Sequence, residues 1–399
     1  MSNVPKLRFS EFSGDWKNKK LGELLFEHKE KNFNEEFSIK HVLSVSQRVG
    51  IVNQIEHLGR SYAGKSVLNY NIVRKNDIVY TKSPLASAPY GIIKSNKNQN
   101  GIVSTLYAVY RAKEDVNIDF LDYYFSLIDN LNKYLRPLVQ KGAKNDMKIN
   151  NQKVLIDRIA VPSIIEQDKI TSFLSSIDIK IEQLTKKDSL LQEYKKGVMQ
   201  KIFNQEIRFK ADDGSEFCEW ENRYGNEIFE TITNKKHNSD LPILAISQEF
   251  GAIPRDLIDY KISVTDQSVS TYKVVDVGDF IISLRSFQGG IEYSNYKGIC
   301  SPAYIILRPF VDVSKDFYKI YFKTDKYIKQ LNKNIEGIRD GKMVSYKQFS
   351  EIKLPFPCLE EQNKIANFLT SIDKKIKNAK KELEKTKAFK KALLQKMFI

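Results

Sequence analysis

The apolar positions follow two periods along this chain, and the whole alternation occurs twice. Short runs such as IVYTK (78–82), GIVSTLYAVY (101–110), DFIISL (279–284) and AYIILR (303–308) are rich in β-branched and aromatic residues and bounded by Gly, Asn, Asp or Pro, which predicts strands. FLDYYFSLIDNLNKYL (120–135) and FYKIYFKTDKYIKQL (317–331) place apolar residues three and four apart, which predicts helices. Two longer stretches then keep a stepping of three and four. The first runs through Leu174, Ile177, Ile181, Leu184, Leu191, Val198 and Ile202, and the second through Leu369, Ile372, Ile376, Ala379, Leu383, Leu393 and Met397. This is a coiled-coil seam, broken by Asp188 and Lys195 in the first stretch and by Thr386 and Lys390 in the second. Ser163 with Glu166 forms a capping-box pattern before the first stretch, and Cys358 takes the place of that serine before the second. A helix of about forty residues extends about 60 Å, longer than the flank of one small domain. Pairing of the two helices with each other would bury both seams; packing of each on its own globular part is the other solution.

The repetition is explicit in the letters. VPSIIEQDKITSFLSSIDIKI (161–181) returns as FPCLEEQNKIANFLTSIDKKI (356–376), and between 159–203 and 354–398 18 of 45 aligned positions are identical. Fainter echoes precede each copy. VLSVSQRVGIV (42–52) matches ILAISQEFGAI (243–253), NYNIVRKNDIVYT (69–81) matches TYKVVDVGDFIIS (271–283), and GIVSTLYAVYR (101–111) matches GICSPAYIILR (298–308). The organisation is therefore two mixed α and β globular parts, 1–163 and 204–356, each followed by a long helix, 164–203 and 357–399. The fold class is α+β, a tandem duplication with a variable part and a better-preserved tail.

Charge sharpens this. The 399 residues carry 64 Lys+Arg against 49 Asp+Glu, a net +15, which points towards a polyanionic partner. Divided by segment, 25 basic and 16 acidic side chains give +9 in 1–163, 7 and 6 give +1 in 164–203, 21 and 22 give −1 in 204–356, and 11 and 5 give +6 in 357–399. The second globular part is itself polarised: 8 basic and 15 acidic side chains give −7 over 204–284, whereas 12 and 6 give +6 over 285–347. Solvated helix faces are the plainer reading of Lys315–Lys333. Basic and amide side chains gather on expected loops: Gln47, Arg48, Lys82, Ser83, Lys141, Lys144 and Lys148 in the first part, and Gln248, Arg285, Ser286, Gln288, Arg339 and Lys342 in the second. Arg and Gln match base edges in the major groove and Lys grips phosphate, so these are the candidate DNA contacts. The two copies differ most here, so they are expected to read different sequences.

Other classes are disfavoured. No run of about 18 apolar residues predicts a membrane span, and Cys218, Cys300 and Cys358 form no CxxC pair, in keeping with a reducing, cytoplasmic setting. GIRDGK (337–342) falls short of a phosphate-binding loop, and no methyltransferase or PD-(D/E)xK nuclease motif is present. His28, His41, His57 and His237 lack metal-ligand spacing. The chain reads as a binder without catalytic residues or metal.

An (L/I)RF…W segment opens each globular part (Leu7–Trp16 and Ile207–Trp220), and P-x-x-x-E-Q-x-K-I-x-x-F-L-x-x-I-D opens each helix (Pro162–Asp178 and Pro357–Asp373). With these motifs the whole chain resembles the specificity subunit of a type I restriction–modification enzyme. The resemblance implies two target recognition domains reading the halves of a split, asymmetric site in double-stranded DNA. The long helices would pair antiparallel as the spacer, along Leu174, Ile177, Ile181 and Leu184 of one and Leu369, Ile372, Ile376 and Leu383 of the other. It also implies a non-catalytic chain that docks two modification (methyltransferase) subunits and, with them, restriction/translocase subunits. S-adenosylmethionine, ATP and Mg²⁺ would sit on those partners and no cofactor on this chain. The recognition subunit of a type IIB system shares this design, and a coiled-coil scaffold that binds no DNA is the reading from another class.

Overall fold

The computed structural model describes residues 3–47, 49–64, 66–82, 87–141, 147–258, 266–333 and 344–399. The two long helices are continuous, Ile164–Phe203 and Leu359–Met397. The chain forms two compact units that cut across both: residues 1–185 with 381–399, and residues 186–380. Each unit is one globular part, the first half of the long helix that follows it, and the last half of the other long helix. The sequence-derived segments keep each long helix whole, whereas the compact units divide each helix near its middle. An amphipathic stripe joins whatever core lies beside it, and these stripes join two.

In the first unit four antiparallel strands, β1 (Leu25–His28), β2 (Ile78–Thr81), β3 (Ile92–Ser95) and β4 (Tyr107–Ala112), form a sheet in the order β1-β4-β2-β3. Successive side chains of a strand face opposite ways, and both faces are used. Ile78, Tyr80, Ala108 and Tyr110 enter the main core, whereas Val79 and Val109 enter a smaller one with Leu43, Ile51, Val73 and Val103. The main core is completed by helix Ile118–Ser126, by Ile170, Leu174 and Ile177 of the first long helix, and by Leu393, Met397 and Phe398 from the end of the chain. Asn117 caps the 118–126 helix, accepting from the Asp119 and Phe120 amides.

The second unit repeats the plan. Strands β5 (Phe229–Ile232), β6 (Phe280–Ile282), β7 (Glu292–Tyr293) and β8 (Ile305–Pro309) run in the order β5-β8-β6-β7. Phe280, Ile282 and Leu307 face the main core, and Ile281 and Ile306 face a smaller one containing Leu244, Val275 and Cys300. Ile365, Leu369 and Ile372 of the second long helix and Ile202 and Phe203 of the first join the main core.

Within each unit the two helices pack antiparallel. Six of the eight expected pairing residues, Leu174, Ile177, Leu184, Leu369, Ile372 and Leu383, are buried, and Ile181 and Ile376 are half-buried against the same cores. Each helix therefore packs on globular parts and on its counterpart at once. The seam lysines are not flaws. Lys195 donates to Asp373 at 2.6 and 2.8 Å in the second unit, and Lys390 pairs with Asp178 in the first. Lys180 and Glu382 lie 3.0 Å apart in the first unit.

Candidate nucleic-acid interface

Each globular part is fixed to its helix by the same buried clamp. Arg8 donates from Nε and a terminal nitrogen to the two oxygens of Glu166, both at 2.8 Å, and Trp16 Nε1 donates to Glu166 at 3.1 Å. In the second unit Arg208 reaches Glu361 at 3.3 and 3.0 Å, and Trp220 Nε1 reaches it at 2.9 Å. The carboxylates are 2% and 0% exposed, so each is a buried charge held by a two-pronged guanidinium and an indole. The hydrogen bond to the carboxylate holds the guanidiniums of Arg8 and Arg208 above their usual range. The expected capping box at 163–166 is accordingly only half made. The Glu166 amide donates to Ser163 Oγ at 3.4 Å, but the Glu166 side chain turns to Arg8 and Trp16 instead of back to its cap.

The neighbouring glutamines lock a second contact. Gln167 Nε2 donates to the Pro162 carbonyl at 3.1 Å while its oxygen accepts from the Asn117 amide at 2.9 Å. Gln362 does the same with Pro357 and Ser314, at 2.8 and 2.9 Å. An aromatic box surrounds each clamp: Phe398 with Trp16, Phe120 and Tyr124, and Phe203 with Trp220, Phe317 and Tyr321. The (L/I)RF…W and P-x-x-x-E-Q motifs thus meet in one clamp, a pairing that neither motif's local spacing indicates. The signal was available, since Arg, Trp, Glu and Gln are among the few residues identical in both copies.

On this frame sit two hairpins, Leu43–Ser46 with Gly50–Asn53 and Leu244–Ser247 with Gly251–Pro254. Gly50 and Gly251 lie at φ 78° and 70°, the left-handed turn conformation that a side chain disfavours. Gln47 and Gln248 occupy matching places at the tips. Gln47 accepts from Ser87 Oγ at 2.8 Å, and Gln248 Nε2 donates to the Arg285 carbonyl at 3.0 Å. In each unit the hairpin tip therefore touches the loop that follows the second strand of the sheet, bringing two of the expected contact loops together.

The remaining expected contacts are placed as follows. Gln248, Arg285 and Gln288 are exposed and Gln47 is half-buried. Lys82 is half-buried too, and burial pushes its ammonium below the ordinary lysine range. Ser286 does not present its hydroxyl. It is 1% exposed and its Oγ accepts from the Ser283 amide at 2.9 Å, so it holds the turn and is withdrawn from the contact set. Lys141 and Lys148 lie on a two-stranded antiparallel pair with Gln140 and Met147. Arg48, Ser83, Lys144, Arg339 and Lys342 lie outside the described residues. Among the described residues no group of three or more His, Cys, Asp or Glu could hold a metal ion, and no helix is long and apolar enough to cross a membrane.

Residues 216–387 match the family model described as the type I restriction modification DNA specificity domain. Two proteins of Methanocaldococcus jannaschii are similar in sequence. The putative type I restriction enzyme MjaX specificity subunit is 29% identical over 280 residues, 66% of this chain and 63% of that protein. The type I restriction enzyme MjaVIII specificity subunit is 28% identical over 259 residues, 59% of this chain and 60% of that one. The matched part thus spans somewhat over half the length of either relative. Among solved structures, the S subunit of a type I restriction–modification system from M. genitalium superposes over 99% of both chains with a TM-score of 0.56 at 15% identity. A chain from a structure of assembly and conformational transition in the type I system covers 95% of each, with a TM-score of 0.52 at 18% identity. The chain thus has the fold of these solved subunits, and its residues 216–387 resemble the type I restriction modification DNA specificity domain.

Proposed function

We propose that this chain is the sequence-reading subunit of a type I restriction–modification complex. Each hairpin-and-loop pair reads one half of a split site in duplex DNA, and the paired helices set the gap between the halves. The observation that carries this is the repeated clamp: one rigid frame, built twice, presents two unlike sets of tip residues, as a reader of an asymmetric site requires. One turn of duplex, about 10–10.5 base pairs, is the natural distance between such half-sites. The chain itself supplies no chemistry. Two modification subunits, docked at the helices, bind S-adenosylmethionine and methylate adenine, which must leave the base stack to react. Restriction subunits add the ATP- and Mg²⁺-dependent cleavage, and the complex works in the cytoplasm.

Methylome sequencing of cells with and without the gene tests this, followed by exchange of residues 1–163 for those of another specificity subunit. The expected result is one methylated split motif that vanishes with the gene, and an exchange that rewrites one half only. No lost motif, or a change in both halves, overturns the modular reading.

A further inference from the structure

The second unit contains an open groove of about 1330 Å³ whose walls come from the end of the first long helix, the first half of the second, the 247–251 hairpin tip and the helices within 315–333. Its lining is dominated by lysine. Three lysines are matched by acids: Lys195 by Asp373, Lys323 by Glu292 and Lys196 by Asp325, the last at 3.7 Å. Five more, Lys201, Lys319, Lys326, Lys329 and Lys380, have no acidic partner among the described residues, against Glu206 and Glu249 as the remaining lining acids. Of these, Lys319 lies 4.7 Å from the centre of the Tyr293 ring, and Lys326 donates to the Phe203 carbonyl at 2.9 Å. Gln248 and the half-exposed ring of Phe250 share the groove, so a potential base-facing edge and a cationic track converge there.

The first unit is not built this way. Asn117 and Ser314 make the same bond to their glutamines, and Phe120 and Phe317 pack on their tryptophans, which fixes the correspondence between the two helical segments. In that register Asp122, Ser126, Asp129 and Asn132 stand where the second unit has Lys319, Lys323, Lys326 and Lys329, and Lys133 is the one lysine of the 118–135 segment. Thr185 stands where the repeat has Lys380. The net charges of the two globular parts, +9 and −1, point the other way, because a segment's total does not say where its charge is gathered.

We infer that this groove is a phosphate-binding track for the DNA backbone, and that it gives the nearly neutral second unit its own salt-sensitive grip on the half-site that unit reads. This rests on the DNA-reading function proposed above. Each phosphate neutralised by a lysine releases condensed counterions, so log affinity falls against log salt by about 0.9 per contact. Contacts of this kind position a reader without choosing its sequence.

Lys201, Lys329 and Lys380 are exposed and make no side-chain hydrogen bond or ion pair among the described residues, so replacing them does not threaten the fold. The test is binding of the full chain, co-purified with its modification subunits, to duplex DNA carrying its site across a potassium chloride series. The variants are Lys201→Gln/Lys329→Gln/Lys380→Gln, the same positions changed to Arg, and a control with Lys374→Gln, Lys375→Gln and Lys377→Gln outside the groove. The expected result is a slope shallower by about 2–3 for the groove variant, an unchanged preference for the site over other duplexes, and recovery with Arg. An unchanged slope, an equal loss in the control, or a lost preference overturns the groove. A groove variant that binds DNA normally but loses RNA or polyglutamate binding overturns it too and reassigns the surface. Absence of salt-sensitive duplex binding by the unaltered complex instead removes the DNA-reading function itself.

Discussion

The two units share a frame and differ at their tips. The clamp repeats down to the atoms, with a two-pronged arginine and an indole on one buried carboxylate, a glutamine bridging the proline carbonyl to a helix-start amide, and a phenylalanine from a long-helix end closing the box. Elsewhere in the two sequences Arg48 gives way to Glu249, Val49 to Phe250, Asp122 to Lys319 and Asp129 to Lys326. After duplication a buried ion pair resists drift, because losing one partner strands the other in a low-dielectric interior. An exposed tip residue has no such buried partner to strand and is freer to drift. The contrast separates the shared frame from the variable tips that the proposed function makes the contact surface.

Matched substitutions can break that comparison. Glu166→Ala and Glu361→Ala should each cost about 3–5 kcal/mol, because a half-buried guanidinium loses its counter-charge and a buried indole its acceptor. Thermal unfolding gives the total, and hydrogen exchange should place each loss in its own unit; clearly unequal losses would show that one clamp matters less. Leu174→Ala and Leu369→Ala, both at fully buried sites, should follow at about 2–5 kcal/mol each. Denaturant unfolding would measure them, and a difference between the two would report how far each core collapses around the cavity.

The smallest effect is also the most discriminating. The Asp178–Lys390 and Asp373–Lys195 pairs are partly exposed, so each is worth about 1 kcal/mol or less. Asp178 also accepts from the Tyr123 hydroxyl at 2.7 Å, and Ile320 stands where Tyr123 would be in the second unit. Asp178→Ala should therefore cost about 1–2 kcal/mol more than Asp373→Ala. Adding Tyr123→Phe should abolish the difference in a double-mutant cycle.

Local and periodic features were legible in the sequence. The first long helix spans Ile164–Phe203, as its stripe and the proline before it indicated, and the duplication followed from identical letters. What stayed hidden was pairing over distance. Glu166 has the spacing of a capping box, and nothing local says that a guanidinium from Arg8, 158 positions away, will take its carboxylate. Lys195 and Lys390 break an apolar pattern when each helix is read alone and become ion pairs once the helices lie antiparallel. Ser286 looked like a loop hydroxyl, yet its turn folds inward. Charge summed by segment likewise hid a track that gathers lysines from separate stretches of the second unit.

The division of the long helices has a consequence for the order in which the molecule is made. The first unit needs residues 381–399, whose Phe398 fills its aromatic box and whose Lys396 carbonyl accepts from the Leu7 amide at 2.9 Å. The second unit is one uninterrupted stretch, 186–380. In a chain made from its N-terminus, the first unit therefore lacks part of its core until residues 381–399 have been added, whereas the second needs nothing beyond residue 380.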